Sequence, residues 1–161
     1  VVRNLDNKED AADLLAKVSK RLNSVVEKFT KKYGESDDRV NLLVKRFRKH
    51  EIREALPAMN STSYSINKGE RIVLCIRGKG EKEKLGDVNT ITFVALHEMA
   101  HIMTISIGHK KEFWENFRFI LAHAIEWKLY KPVDYQSSPK PYCGIKITES
   151  PLKDGDESKY L

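Results

Sequence analysis

Between residues 14 and 29 the apolar side chains recur every three or four positions: Leu14, Leu15, Val18, Leu22, Val25, Val26 and Phe29. That spacing puts them on one face of a helix. Asp6, with Glu9 three residues on, is predicted to open the helix as a capping box, and Gly34 to end it. Ser36 or Asp37 is predicted to cap a second helix carrying Val40, Leu43, Val44 and Phe47 on one side. Both are amphipathic and should lie on a common core. The pattern then changes to a period of two. Asn60-Ser61-Thr62-Ser63 reads as a loop, after which Tyr64-Ser65-Ile66 and Ile72, Leu74, Ile76 alternate around Asn67-Lys68-Gly69-Glu70. Alternation on either side of turn residues predicts a hairpin. Residues 78–87, rich in Gly, Lys and Glu, are predicted to be a loop.

From Asn89 or Thr90 a third helix is predicted that is apolar almost all round: Ile91, Phe93, Val94, Ala95, Leu96, Met99, Ala100 and Ile102. Such a helix belongs in the middle of a molecule, covered on most sides. Ser106-Ile107-Gly108 breaks it. A last helix is expected from Lys110 to Tyr130, with Phe113, Trp114, Phe117, Ile120, Leu121, Ala124 and Ile125 as its buried stripe and Pro132 as its stop. Residues 131–161 are punctuated by Pro and Gly and read as an irregular tail. The whole predicts a single α+β domain over residues 1–161, mostly helical, with a small antiparallel sheet beside the apolar helix.

Length and charge narrow this little. A chain of 161 residues fits one domain with one sizeable core. The net charge of +6 is uneven: residues 1–53 hold 14 Lys and Arg against 9 Asp and Glu, the remainder 15 against 14. The densest run is Lys45-Arg46-Phe47-Arg48-Lys49-His50, with His50 expected to be exposed at a helix end. Such a run can meet nucleic acid, although a solvated helix face is the plainer reading. No apolar run approaches the roughly 18 residues of a membrane span, and no signal-peptide pattern opens the chain. It begins at Val1 rather than Met, which leaves room for a preceding segment with an anchor or address. Cys75 and Cys143 are too few for a disulfide scaffold or a cysteine zinc site. Free thiols in a reducing, intracellular compartment are the default expectation, with Cys143 an inert packed thiol and one bridge between the two cysteines the minor alternative.

The chemistry lies in His97-Glu98-Met99-Ala100-His101. Histidines at i and i+4 stand one above the other on a helix face, so each can give one nitrogen to the same metal ion. Glu98 is rotated by about a quarter turn from that face and can flank the metal as a general base without ligating it. The alternative is a pair of core histidines, but burying three unpartnered polar groups costs on the order of 1–3 kcal/mol each. A zinc site of this type needs a third protein ligand and one open position. His109 is favoured because Gly108 can reverse the chain toward the other two imidazoles. Glu126 is the serious rival, followed by His123 and Asp134.

With Gly108-His109-Lys110-Lys111-Glu112-Phe113-Trp114 following it, the HExxH stretch resembles the WLM and SprT-like group of zinc metallopeptidases. These carry a third histidine shortly after HExxH and then an aromatic pair. Predicted peptidases of large DNA viruses are similar through the Lys68-Gly69 hairpin and Tyr142-Cys143-Gly144. One departure is the spacing: His109 comes twelve residues after His97, where WLM-like members typically place it ten after. The resemblance covers residues 62–130 well, which makes that stretch the expected catalytic core of a zincin-like domain and residues 1–53 a basic helical part. It implies Zn2+ on His97, His101 and His109, Glu98 as base, and a protein or peptide substrate, with DNA-associated proteins as one class. The compartment it suggests is the cytosol, nucleus or virion. The strand at Arg71–Arg77 is expected to hold extended substrate at its edge. Tyr142, Tyr135 and His123 are candidate oxyanion stabilisers by residue type. Phe113 and Trp114 read as core. The competing class is a non-catalytic, zinc-stabilised module with a basic face for nucleic acid. An amidase or other hydrolase on the same zinc scaffold is a third reading.

Overall fold

The computed structural model describes residues 1–47, 50–56, 63–78, 84–153 and 155–161. The first helix, α1 (Lys8–Tyr33), buries the predicted stripe from Leu14 to Phe29 together with Ala11. Its start differs from the expected capping box. Asn7 occupies the cap position without a side-chain cap hydrogen bond; its Oδ1 accepts from the Arg77 guanidinium instead. α2 (Asp38–Phe47) is capped by Asp37, whose Oδ1 accepts from the backbone N–H of Arg39 and Val40 at 2.9 and 3.2 Å. His50 is not exposed as expected. It is half-buried, stacked on Phe47 with ring centroids 3.8 Å apart. Of the basic run, Arg48 and Lys49 lie outside the described residues, as do Asn60, Ser61 and Thr62 of the first loop and 79–83 of the second.

Strands β1 (Glu51–Glu54), β2 (Ser63–Ile66) and β3 (Arg71–Leu74) form one sheet in the order β1-β3-β2. β2 and β3 are the predicted hairpin, with Tyr64 opposite Val73. Asn67 and Lys68 adopt left-handed φ values of 48° and 52° in the four-residue loop, 67–70, that joins Ile66 to its partner Arg71. Gly69 follows at φ 116°, where a Cβ would stand 3.1 Å from the Arg46 carbonyl oxygen and from Ile102. The turn is thereby pressed against the helices. β1 is the unforeseen strand. It pairs in parallel with β3, Ile52 beside Ile72, which makes the sheet mixed rather than purely antiparallel.

α3 (Val88–Met103) is the apolar helix, and it packs against α1, α2, β2, β3 and the last long helix, α4 (Lys111–Glu126). Its cap is Asp87, earlier than expected, through a bond from the Thr90 N–H to Oδ2 of 3.0 Å. α4 ends at Trp127 rather than Tyr130, because Lys128 turns to φ 57° and the N–H of Leu129 returns to Ala124 O. The tail is less irregular than predicted. It contains an antiparallel hairpin, β4 (Lys140–Tyr142) and β5 (Ile145–Ile147), and a short 3-10 helix at Asp156–Tyr160.

A disulfide joins Cys75 to Cys143, with Cα atoms 6.3 Å apart across 68 residues of chain. Free thiols were the expectation; the fold overturns it by laying the β4–β5 hairpin against the end of β3. The cysteine count therefore no longer argues for a reducing compartment. The architecture is that of a single α+β domain, and no helix among the described residues is long and apolar enough to cross a membrane.

Candidate metal centre

His97 and His101 project from one face of α3, one turn apart, with ring centroids separated by 5.0 Å. The helix ends at Met103 and the chain runs over residues 104–110 before α4 begins. Gly108, at φ 82°, supplies the reversal that a Cβ-bearing residue would resist. His109 thus returns beneath the helix: its Nε2 lies 3.2 Å from His97 Nε2 and 3.1 Å from His101 Nε2. The three ligand atoms all lie within 4.8 Å of one another. The Phe113 ring closes the group from the α4 side, 4.2, 4.8 and 5.0 Å from the rings of His101, His109 and His97.

These nitrogens do not satisfy one another. Both contacts fall on His109 Nε2, which carries either one N–H or one lone pair, so at most one of them is a full, well-directed hydrogen bond. Protonation is no remedy. Burial, then the charges of His101 and His109, push the His97 pKa down to about 3. Burial, then His109 and Lys68, push His101 down to about 4. Three converging imidazole nitrogens, two of them on rings that burial keeps neutral, are the donor set of a zinc-like cation, so these residues fit a metal.

Glu98, next to His97 on α3, is 4% exposed. Its Oε1 accepts a 2.8 Å hydrogen bond from Ser63 Oγ at the start of β2. Burial raises its pKa to about 7, against a lowering by that hydrogen bond. Tyr142, from the β4–β5 hairpin, is buried close enough for the Glu98 charge to act on it. Burial first and that charge second push the phenol pKa up, so Tyr142 remains a neutral hydroxyl.

Several residues that sequence reasoning did not single out fix the turn carrying His109. Lys68 Nζ donates to the carbonyls of His101, Thr104 and Ser106 at 3.3, 2.9 and 2.9 Å. Arg46 Nη1 donates to those of Ile102 and Thr104 at 2.9 and 3.1 Å. Two cations thus sit on the free carbonyls at the C-terminal pole of α3. On the far side of the turn, the Glu112 carboxylate accepts from the N–H groups of Ile105 and Ser106 at 3.1 and 3.3 Å. Asn116 Nδ2 donates to Thr104 Oγ1 at 2.9 Å. Lys68 sits in a turn, where a polar residue is ordinary; nothing local marks it as a helix clamp.

Other expectations are corrected. His123 is fully buried, with Nδ1 2.8 Å from Phe119 O and Nε2 2.6 Å from Tyr33 Oη, a satisfied core histidine rather than a ligand or oxyanion donor. Tyr135 is equally buried and hydrogen-bonds Tyr130 Oη at 3.3 Å. Neither has a polar atom left for the triad, because each completes a network inside the core. Glu126 is exposed beside Lys32, and Asp134 caps the N–H groups of Gln136 and Ser137. β3 is flanked on both sides, so the strand edge expected at Arg71–Arg77 is covered; the outer strands are β1, on which Val1 lies, and β2. Cys143 is held by Cys75 and is neither a free thiol nor a metal ligand. Phe113 is core, but Trp114 is only half-buried and lies 5.8 Å from the His109 ring.

A sequence model of the WLM domain matches residues 1–150. An uncharacterized protein of Acanthamoeba polyphaga mimivirus, R325, is 32% identical over 157 residues, spanning 95% of this chain and 79% of that one. Uncharacterized protein 136R of Invertebrate iridescent virus 6 is 37% identical over 82 residues, half of this chain and 44% of its own length. The fold is similar to the crystal structure of Wss1 from Saccharomyces cerevisiae, with a TM-score of 0.60 at 19% identity, over 79% of this chain and 88% of that one.

Proposed function

The chain belongs to the WLM domain family, and from that premise we propose that it is a zinc-dependent endopeptidase with Glu98 as its general base. The observation that carries this reading is the convergence of three imidazole nitrogens next to a separately held, buried carboxylate. His97, His101 and His109 would hold the ion. Zinc bound there would supply Lewis acidity, acidifying water to near-neutral pKa and polarising a peptide carbonyl.

The chain's own groups do the rest. Glu98 accepts a proton from the attacking water, a role matched by a carboxyl that burial holds at about 7. The Ser63 hydroxyl keeps that carboxylate oriented, and Glu98 then passes the proton to the leaving amine. Tyr142, held protonated beside Glu98, is the remaining candidate donor toward the oxygen on which charge develops. The outer strand β2 carries Ser63 and packs against α3, so an extended peptide added along it would run past Glu98. Residues 62–130 form the catalytic core in this reading, supported by the helices of 1–53.

Glu98→Gln should cut peptide hydrolysis by on the order of 10²–10⁴-fold while zinc content, measured by atomic absorption, stays at the wild-type level. Hydrolysis at the wild-type rate in that variant rules the mechanism out. The exposed lysines of α1 (Lys17, Lys20, Lys28, Lys31 and Lys32) extend the proposal to protein bound on nucleic acid. Arg46 is spent on α3 carbonyls and adds nothing to that face. Salt-independent or absent binding of duplex DNA removes the extension and leaves the peptidase reading intact.

A further inference from the structure

Beside the triad, on the α4 side, lies a cavity of about 330 Å³ whose wall includes His97 itself. Phe93, Phe117 and the half-buried Trp114 line it with aromatic rings, and the segment Glu149–Pro151 closes its outer side. The closing segment is tied down: Arg118 Nε donates to Pro151 O at 3.0 Å, and Nη1 of the same guanidinium donates to Glu115 at 3.2 Å. Two consequences follow for any occupant. The Arg118 charge is engaged in holding the wall, and the acidic Glu149 stands exposed at the rim, so an acidic side chain finds no partner there. The rings, by contrast, offer apolar surface next to a metal ligand.

The volume is at the low end of the range of about 300–1,000 Å³ for small-molecule sites, which suits one large side chain better than a cofactor. Because the cavity opens onto His97, its occupant must be attached to a backbone that reaches the triad. We propose that this cavity is the specificity pocket of the site and takes a large apolar side chain, Leu, Met or Phe, of the bound peptide next to the scissile bond. The inference rests on the peptidase reading for its backbone, and on Phe93, Trp114, Phe117 and the Arg118-held wall for its selectivity.

The test is a series of peptide hydroxamates that differ only in the side chain nearest the chelating group: Gly, Ala, Leu and Phe. Their binding to the zinc-loaded protein is measured by calorimetry, and the matched peptides are offered for hydrolysis. Leu and Phe should bind about tenfold or more tighter than Gly. Ser150→Trp, which fills the cavity and replaces no histidine, should bring that ratio below about threefold with zinc content unchanged. Arg118→Ala, which frees the wall, should lower it as well. Equal affinities across the series, absence of binding, or a ratio unmoved in Ser150→Trp overturns the assignment. Side-chain-dependent binding with no hydrolysis of the matched peptides supports the pocket and counts against the peptidase activity, so the two failures are told apart.

Discussion

The Arg77–Glu54 pair and the His97–His101–His109 triad both set polar groups into apolar surroundings, and they differ in how far each can satisfy itself. Arg77 and Glu54 are nearly inaccessible, with the guanidinium Nε 2.5 Å from Oε1. Glu54 Oε2 accepts from the Arg3 N–H at 2.7 Å, and Arg77 reaches Asn7 as well, leaving Nη2 as the atom without a hydrogen bond. Charge meets charge and, Nη2 apart, donors meet acceptors, so the cluster largely completes itself and ties the N-terminal segment to β1 and the end of β3. The triad instead crowds three imidazole nitrogens whose two contacts share the single Nε2 of His109, a set that could hold a metal ion. Buried polarity that is internally complete holds a fold, whereas buried polarity that is internally incomplete points to a ligand.

Breaking the closed cluster should have the largest effect on stability. Arg77→Met leaves Glu54 buried without its cation and is expected to cost about 3–5 kcal/mol in urea denaturation, with zinc affinity unchanged. A parallel loss of zinc affinity would show that the two clusters are not independent. The open cluster should respond to metal instead. Free zinc at 100 times its Kd should raise stability by about 2.7 kcal/mol, and His109→Ala should remove most of that gain while leaving the metal-free protein near its original stability. The pH dependence of the metal-free protein sharpens the same contrast. His97 and His101 have folded pKa values below their usual 6.5, so their contribution is present above pH 6.5 and is lost as pH falls toward about 3–4. Glu98 is shifted upward, so its contribution is present below about 4.5 and is lost as pH rises toward about 7. Thermal melts across pH 3–8 should show both limbs, and Glu98→Gln should abolish only the second. Imidazole NMR titration would show directly whether His97 and His101 stay neutral to the stated values.

The same contrast governs what could be read from sequence. The triad spans thirteen residues, and its geometry follows from helical spacing plus one glycine turn, so it was legible. The helices were legible too, since α1 buries a stripe that repeats every three to four residues. The closed cluster draws on residues 3, 7, 54 and 77, and no local pattern announces that Glu54 is buried. β1 was missed for a related reason. Glu51, Arg53 and Arg71 pair their charges on the sheet face, so Glu-Ile-Arg-Glu lacks the apolar alternation that marks a strand. Lys68, a turn residue by its neighbours, becomes a helix clamp only once the hairpin is docked on α3. Tyr142 and the disulfide depend on a hairpin that returns after α4 from a stretch punctuated like a loose end.

That returning hairpin sets where the chain can be shortened. A fragment ending after the last long helix keeps every histidine of the triad, yet it discards Cys143 and, one residue before it, the phenol on which the buried Glu98 charge acts. The shortest piece worth assaying therefore runs at least through β5, well past the stretch in which the sequence concentrates its recognisable chemistry.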